Sequence, residues 1–397
     1  MSRKTLLLLL FALAGTLLSP FASAQNTVPD RDLFDVFRSH APSKKIPATD
    51  TLVHIANVFS VLPSINSAPH TGLAAGFNIN NSFYTSDAAL TKMSTISSIP
   101  LYTQKKQIII PIQYSIWTSG SKFNLMGDLR FYKYPSYTFG LGGNTKSTDG
   151  LLIRYNYFRA YQSVLRKVAK NAFLGMGYAL DKHWNIGGFD SILPLPQEEQ
   201  YIRKASSTIA SGLLFNALHD SRENPVNPAK GSYSNLTFRY NPSWLGNERA
   251  WSSLILEARR YIPLSARSHQ VLAFWSYDWL LLSGTAPYFD LPSTGWDTYS
   301  NLARGYSQNR LRSSSLLYLE SEYRFDVTRN GLIGGVLFAN VQTLSDWNTN
   351  TYKTFWPGYG LGLRLKLHKQ TGINLAFDYG FGLDGSRGFY FNLGEVF

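Results

Sequence analysis

Charged residues in the second half of the sequence have the types and spacing that could do chemistry. Arg304 stands in a long loop, Ser283–Arg312, and an alternating segment, 316–326, follows it. In that segment Glu320 and Glu322 share one side of a predicted strand. The planar guanidinium of an arginine suits carboxylates, so we expect these acids to be the partners of Arg304. This chemistry is structural pairing, not catalysis.

A catalytic site is not indicated. His219, Asp220 and Ser221 are consecutive, but neighbouring side chains of a strand point to opposite faces and cannot form a hydrogen-bonded triad. The other histidines lack the spacing of a metal site, and no glycine-rich loop is followed by the lysine and helix that bind phosphate. We predict that the protein is not an enzyme and that it has no metal and no cofactor.

The N-terminus predicts export. Residues 1–24 read as a signal peptide, with Arg3 and Lys4 before an apolar run, 6–18, and small residues at 22–24. The chain has no cysteine, so it cannot rely on disulfides after export. Beyond residue 25 we find no run of about 18 apolar residues, and no transmembrane helix is expected.

The net charge and the aromatic content indicate which classes of molecule the protein could bind. The formal net charge is +13, and the chain holds 24 Tyr, 25 Phe and 9 Trp. Tyr and Trp are enriched where a protein meets the interface of a membrane. Export argues against nucleic acid as the partner of the basic charge. Outer-membrane lipid headgroups and lipopolysaccharide phosphates are the expected partners.

The rest of the chain divides into a leader and a strand-rich region. In the leader, 25–57, the segment Asp30–Arg38 predicts a short amphipathic helix capped by Asp30, with a disordered leader as the alternative. From residue 58 to residue 397 the pattern alternates between strand and turn, with about sixteen strands, among them Lys92–Thr103.

Each strand has one apolar and one polar face. In 357–368, leucines at 361, 363, 365 and 367 alternate with Arg364 and Lys366. Turning such charges toward lipid costs about 2–4 kcal/mol each near the membrane midplane, so they should face a lumen. The predicted fold is therefore all-β: a transmembrane antiparallel β-barrel of about sixteen strands, with the long loop folded into the lumen. A soluble two-sheet sandwich is the less favoured alternative.

The final segment, 388–397, places aromatic residues on one face: Phe389, Phe391 and Phe397, together with Leu393. Glu395 breaks this pattern, and we expect it at the edge of the lipid headgroups. The segment resembles the C-terminal assembly signal of bacterial outer-membrane proteins.

Three motifs carry a wider resemblance. Arg304-Gly305-Tyr306 is followed by the strand with Glu320, Glu322 and Arg324. A turn between two middle strands contains Asp220, Arg222, Asn224, Pro225 and Gly231, and a closing stretch covers 359–397. Together they resemble the BamA/TamA-like bacterial surface-antigen barrels, across residues 58–397. The resemblance implies that the Arg-Gly-Tyr tip folds back into the barrel as a plug and that Asp220 and Arg222 shape their turn.

Two features depart from that family. Its periplasmic POTRA domains have no room in this sequence, so the chain resembles the subgroup that lacks them. Asn340 stands where the family has an acid that pairs with the loop arginine. This substitution makes Glu320 or Glu322 the expected partner of Arg304.

The resemblance implies a location in the bacterial outer membrane and a role in its biogenesis. That role would be to assist protein insertion or translocation, or lipid movement, at a weak seam between the first and last strands. Periplasmic or outer-membrane partner proteins would supply client capture. The alternative is a passive porin or a structural partner subunit of an outer-membrane complex.

Overall fold

The computed structural model describes residues 30–38, 57–68, 71–187, 206–264, 270–369 and 372–397. The chain divides into two compact units, Met1–Asp30 and Arg31–Phe397, and the elements described here belong to the second. The predicted signal peptide and most of the predicted leader lie outside the described residues, and both remain predictions.

Within the described residues, eighteen antiparallel strands form one wall. Their bounds are β1 Asn57–Ala68, β2 Gly72–Phe83, β3 Ser94–Ser98, β4 Leu101–Thr103, β5 Ile108–Trp117, β6 Phe123–Lys133, β7 Ser136–Thr138, β8 Leu151–Ala169, β9 Ala172–Gly187, β10 Ser207–Asp220, β11 Gly231–Asn241, β12 Trp251–Pro263, β13 Val271–Gly284, β14 Ser315–Asp326, β15 Ile333–Leu344, β16 Phe355–His368, β17 Ile373–Phe381 and β18 Arg387–Leu393.

Two of the wall strands are interrupted, so the eighteen segments make sixteen strands of wall, as predicted. β3 and β4 both pair with β2 and β5, and β7 continues the line of β6 along β8. The prediction of one unbroken strand at Lys92–Thr103 is wrong, because the ladder breaks at Ile99 and Pro100. Proline has no N–H to donate to a ladder.

The two faces of the wall differ as the alternation predicted. Leu337, Leu361 and Leu363 point outward and are 49%, 58% and 44% exposed. Charged residues on the same and other strands point inward and are buried, among them Asp128, Arg130, Asp181, Arg239, Glu320, Glu322, Arg364 and Asp378. An apolar exterior around a charged interior is the pattern of a transmembrane β-barrel.

One outward position was assigned to the wrong face. Leu367 is buried, although the alternation in 357–368 placed it with Leu361 and Leu363. The pairing of β16 with β17 shifts register between Lys366 and His368. Such a bulge inserts one extra residue, and every side chain beyond it changes face.

The seam between the first and last strands is weakly paired. β1 pairs with β2 along all 12 of its residues. By contrast, among the residues that the structure describes, β1 and β18 pair at a single position, Ser67 with Phe389. The sheet therefore closes through one pair, and most of the β1 edge has no ladder partner from β18.

A short helix, α1, spans Leu33–Arg38. The predicted helix is thus present, but Asp32 caps it instead of Asp30: the Asp35 N–H donates to Oδ1 of Asp32 at 2.8 Å. Lys369 contacts it twice, through its N–H to Asp32 and its Nζ to Asp35, at 3.0 Å and 2.7 Å. The described part of the chain contains no helix long and apolar enough to cross a membrane.

The face assignment can be tested at Leu337. We expect Leu337→Arg to lower the free energy of unfolding by about 2–4 kcal/mol, because the charge would face lipid near the middle of β15. Val327→Arg is the control, since Val327 lies 61% exposed in the turn after β14. Urea unfolding in lipid vesicles measures both, and equal losses would contradict the assignment.

Candidate functional site

The segment between β13 and β14, Thr285–Ser314, lies inside the barrel. Its Phe289 packs on Tyr155 of the wall with ring centroids 4.6 Å apart, and its Trp296 packs on Tyr157 at 5.5 Å. All four rings are buried. Burial of large aromatic side chains is the main force that holds such a loop in place. We call this segment the lumen loop.

Arg304 lies at the tip of the lumen loop and has no solvent exposure. Its Nη1 donates to Oδ2 of Asp378 at 2.6 Å, and its Nη2 donates to Glu320 and Glu322. The guanidinium carbon lies 3.8 Å from the ring centroid of Phe338. One cation therefore joins the loop to strands β14 and β17 and stacks on β15.

The strands place these acids by simple alternation. Glu320 and Glu322 lie two residues apart on β14 and so share its inner face. Asp378 points inward on β17, whereas the preceding residue, Phe377, points outward. We expected Glu320 or Glu322 as the partner, whereas the structure brings both to Arg304 and adds Asp378. The alternation of apolar and polar residues along β17 is the sequence signal that could have identified Asp378 as an inward acid.

Asn340, at the position where the family has an acid, contacts the backbone of Arg304 and not its charged group. Its Nδ2 donates to the backbone carbonyl of Arg304 at 3.0 Å instead of contacting the guanidinium. A neutral amide can hold the backbone of the tip while the carboxylates hold its charge. The guanidinium is held instead by the two glutamates of β14 and by Asp378 of β17.

The cluster extends beyond the loop tip through two more arginines. Arg324 pairs with Glu322 at 2.7 Å, and Arg364 pairs with Asp378 at 2.6 Å. Arg364 also pairs with Glu395 at 2.8 Å. The predicted place of Glu395 at the headgroup edge is therefore wrong, because its side chain is buried in the lumen with an arginine partner. We call these seven residues the arginine cluster: Arg304, Arg324, Arg364, Glu320, Glu322, Asp378 and Glu395.

Glycines on the wall make room for the loop tip. A Cβ built on Gly358 would lie 2.9 Å from the carbonyl oxygen of Arg304, and one on Gly382 would lie 2.7 Å from the ring of Tyr306. Gly305 itself has φ of 108°, which favours glycine. Its own Cβ would meet the carbonyl oxygen of Phe381 at 2.6 Å. Loop and wall therefore touch backbone to backbone.

Tyr306 fixes the other side of the tip. Its hydroxyl donates to the carbonyl of Pro357 at 2.5 Å and accepts the N–H of Leu383 at 3.0 Å. Its ring meets Trp356 edge to face at 5.9 Å. From β18, the Tyr390 hydroxyl accepts the N–H of Gly305 at 2.9 Å. The tip is thus attached directly to the strand that borders the seam.

The last residues leave the wall and turn into the lumen. β18 ends at Leu393, and Gly394 follows with φ of 93°. Phe397 packs on Trp275 at 5.3 Å, and its carbonyl accepts Nη2 of Arg324 at 3.0 Å. Phe397 therefore does not share the outer face of β18, contrary to the strand pattern. We call residues 394–397 the inward tail.

Phe389 and Phe391, unlike Phe397, lie within β18. Both pack on Phe377 of β17, with centroids 6.3 Å and 5.0 Å away. Their shared face with Phe377, which points outward, agrees with the alternation in 388–393. The role of these aromatics as an assembly signal remains a prediction.

The turn between β10 and β11 is braced by its own side chains. Nε of Arg222 donates to Oδ1 of Asp220 at 3.0 Å, and Oδ1 of Asn224 accepts the N–H of Val226 at 2.9 Å. The chain leaves the turn at Gly231, where φ is 102°. The neighbouring Pro225 restricts the preceding residue. His219 is exposed, whereas Asp220 is buried, so the two lie on opposite faces.

This turn also reaches across to the inward tail. The N–H of Glu395 donates to the carbonyl of Val226 at 2.8 Å, and Nδ2 of Asn227 donates to the carbonyl of Gly372 at 2.9 Å. The tail is joined in addition to the lumen loop, where Nδ2 of Asn301 donates to the carbonyl of Val396 at 3.2 Å. Sequence reasoning missed these contacts, because their partners are far apart along the chain.

A second ionic group lies on the inner wall near the start of the lumen loop. Asp181 pairs with Arg159 at 3.1 Å and with Arg239 at 2.6 Å on the inner wall. Asp290 of the loop is buried beside them. Burial, and then the nearby Asp181 carboxylate, raise the pKa of Asp290 above its usual range.

Comparison with known proteins decides the family. The Omp85 superfamily domain matches residues 71–397. The chain belongs to the Omp85 superfamily. A search of curated proteins found no match. Members of this superfamily act in outer-membrane biogenesis and translocation, and that general kind of role is the one the membership supports.

Solved structures show the same fold. BamA from Haemophilus ducreyi, in a form lacking POTRA domains 1–3, is 15% identical, with a TM-score of 0.53 over 84% of this chain and 69% of that one. CdiB from Acinetobacter baumannii is 12% identical, with a TM-score of 0.53 over 86% and 60%. CdiB from Escherichia coli is 12% identical, with a TM-score of 0.54 over 87% and 61%. The chain spans about three fifths of the CdiB chains.

The charge of Arg304 can be tested by a neutral replacement. We expect Arg304→Gln to destabilise this Omp85 barrel by about 3–5 kcal/mol, because three buried carboxylates lose their shared cation. Arg329→Gln, at an exposed turn, is the matched control. Urea unfolding followed by tryptophan fluorescence compares the two. Similar midpoints for both variants would show that the cluster does not hold the loop.

The contact between tip and wall can be tested at Gly305. We expect Gly305→Ala to expose the lumen loop to proteases, because the new Cβ meets the Phe381 carbonyl and the positive φ costs about 1–3 kcal/mol. Gly246→Ala separates the steric contact from the strain of a positive φ, since Gly246 has φ of 90° but open space where a Cβ would lie. If both variants resist proteolysis equally, the steric contact is unimportant.

Proposed function

We propose that this barrel assists the insertion of outer-membrane proteins by opening laterally at the seam between β1 and β18. The observation that carries the proposal is the single pair, Ser67 with Phe389, that joins the two strands. An edge of unpaired N–H and C=O groups is a template for an incoming strand. Membership of the Omp85 superfamily supports this kind of role.

The inner contacts of β18 support an opening at this place. Tyr390 holds the lumen loop, and the inward tail is fixed by Arg324 and Val226. β18 is therefore kept in position chiefly from the lumen and from β17, so it can leave β1 at the cost of few ladder hydrogen bonds. The mechanism needs positioning and strand pairing but no chemical step.

Partners complete the proposal. We infer that a periplasmic or outer-membrane protein delivers the client chain, and that lipid or lipopolysaccharide phosphates meet basic side chains at the rim. Outward residues such as Arg166 and Arg260 near the ends of β8 and β12 supply such charges. Co-purification from native outer membrane would identify the protein partner.

A disulfide across the seam tests the proposal, because the chain has no cysteine of its own. We expect the pair Ser67→Cys and Phe389→Cys, once oxidised, to stop assisted folding of an unfolded eight-stranded barrel into proteoliposomes. Reduction should restore it. Residues opposite each other in neighbouring strands lie close enough for such a bond.

The matched control is Leu337→Cys with Leu361→Cys, which are opposite each other in the fully paired strands β15 and β16. Its oxidation should leave assisted folding unchanged. Folding assistance that persists with the seam locked would refute lateral opening. A large, steady ion conductance without folding assistance would instead favour the passive porin.

A further inference from the structure

The lumen contains a cavity of about 450 Å³ beside the lumen loop. This volume is in the usual range of ligand sites. Its lining extends from Thr71, in the turn before β2, to Val226, in the turn after β10. These turns lie at opposite ends of the barrel, because antiparallel strands alternate in direction. The cavity is therefore elongated along the wall and suits a segment of a chain molecule.

Neutral amides are frequent on the lining. They come from strands on both sides of the seam and from the opposite wall. These residues are Asn78, Asn80, Gln113, Asn124, Asn216, Asn235 and Asn392. An amide offers both donors and an acceptor and carries no charge. Such a surface can bind a ligand rich in hydroxyl or amide groups.

The carboxylates of the lining are already paired. Each has a cation within 3.0 Å: Asp128 with Arg130, Asp220 with Arg222, Glu223 with Lys230, Glu257 with Arg259 and Glu395 with Arg364. A cationic ligand would find no carboxylate free of an existing partner. The acids and arginines of the lining are thus paired with one another, and Lys92, also on the lining, lies over the ring of Trp117 at 5.7 Å. The lining therefore does not select a cationic ligand.

On this lining, the buried polar atoms that lack a hydrogen-bond partner are neutral. Nδ2 of Asn78, Nε1 of Trp279 and Oδ1 of Asn235 are buried without a hydrogen bond to any residue that the structure describes. Asn78 is 2% exposed, and all three residues line the cavity. An unsatisfied buried donor or acceptor costs about 1–3 kcal/mol, which a ligand with matching groups would recover.

Aromatic rings on the same lining supply flat apolar surfaces. Tyr161, Tyr277, Trp296 and Tyr299 all face the cavity. The apolar C–H face of a sugar ring stacks on such surfaces while its hydroxyls pair with amides. We propose that the cavity binds a segment of an uncharged glycan chain, held by Asn78, Asn235 and Trp279 and stacked on these rings.

An extended polypeptide is the other chain molecule that amides could bind. A polypeptide of ordinary composition would bring ionised side chains into the lumen, where the paired carboxylates leave no partner for its cations. Burying an unpaired charge costs far more than burying a hydroxyl. The lining thus favours the glycan. This inference does not depend on the proposed opening of the seam, and failure of either leaves the other standing.

Binding to the full chain in detergent micelles tests the proposal. The probes are maltohexaose, cellohexaose and N-acetylated chitohexaose, with a Gly-Ser peptide and an acidic oligogalacturonate for comparison. We expect saturable quenching of tryptophan fluorescence, confirmed by calorimetry, with at least one neutral hexasaccharide. Neither the peptide nor the acidic sugar should compete with it.

Two variants remove single polar atoms from the site. We expect Asn78→Leu and Trp279→Phe each to weaken binding of the bound hexasaccharide about tenfold, the loss of one good hydrogen bond. Each change removes an unpaired buried polar group, so stability should stay equal or rise, which separates lost binding from misfolding. Trp244→Phe is the control, because Trp244 is 72% exposed on the turn after β11.

Several outcomes would overturn the inference. No saturable binding by any of the three neutral sugars means that water alone fills the cavity. Tighter binding of the peptide assigns the amides to polypeptide, and tighter binding of the oligogalacturonate refutes the argument from paired charges. Unchanged affinity in both Asn78→Leu and Trp279→Phe places the sugar elsewhere.

Discussion

A guanidinium with no access to water governs how the interior of this barrel is organised. Arg304 needs acceptors on several sides, and it finds them on β14 and β17. Buried ion pairs of this kind often add little net stability, since desolvation offsets much of the attraction. What they provide is position, because only one placement of the loop tip satisfies all the charges. The glycines opposite the tip restrict its placement in the same way, because a side chain at those positions would collide with the tip.

The fixed position of the loop tip also fixes β18, the strand that borders the seam. Tyr390 belongs to β18 and holds Gly305, while Arg324 holds both Glu322 and the carbonyl of Phe397. The border strand therefore depends on the lumen for contacts that most barrel strands obtain from both neighbours. A wall whose first and last strands are joined by a single pair is compatible with membership of a superfamily concerned with outer-membrane biogenesis.

Local alternation was enough to predict the wall, the lumen face and two acids of the site. It succeeded because lipid and lumen impose opposite polarity on successive residues. It failed where the chain departs from the two-residue period. Leu367 is the extra residue of a bulge, Pro100 interrupts a ladder, and Gly394 redirects the chain so that Glu395 and Phe397 turn inward. Asn340 directed the search for a partner of Arg304 to Glu320 and Glu322, and the tertiary fold adds Asp378 to them.

The arginine cluster holds three guanidiniums and four carboxylates. If the loop tip were to leave the lumen, two guanidiniums would face the same four carboxylates. This greater excess of negative charge would attract protons and small cations more strongly. Departure of the loop must then be accompanied by uptake of protons or small cations. The loop is thus thermodynamically linked to the ionic composition of the solution that reaches the lumen.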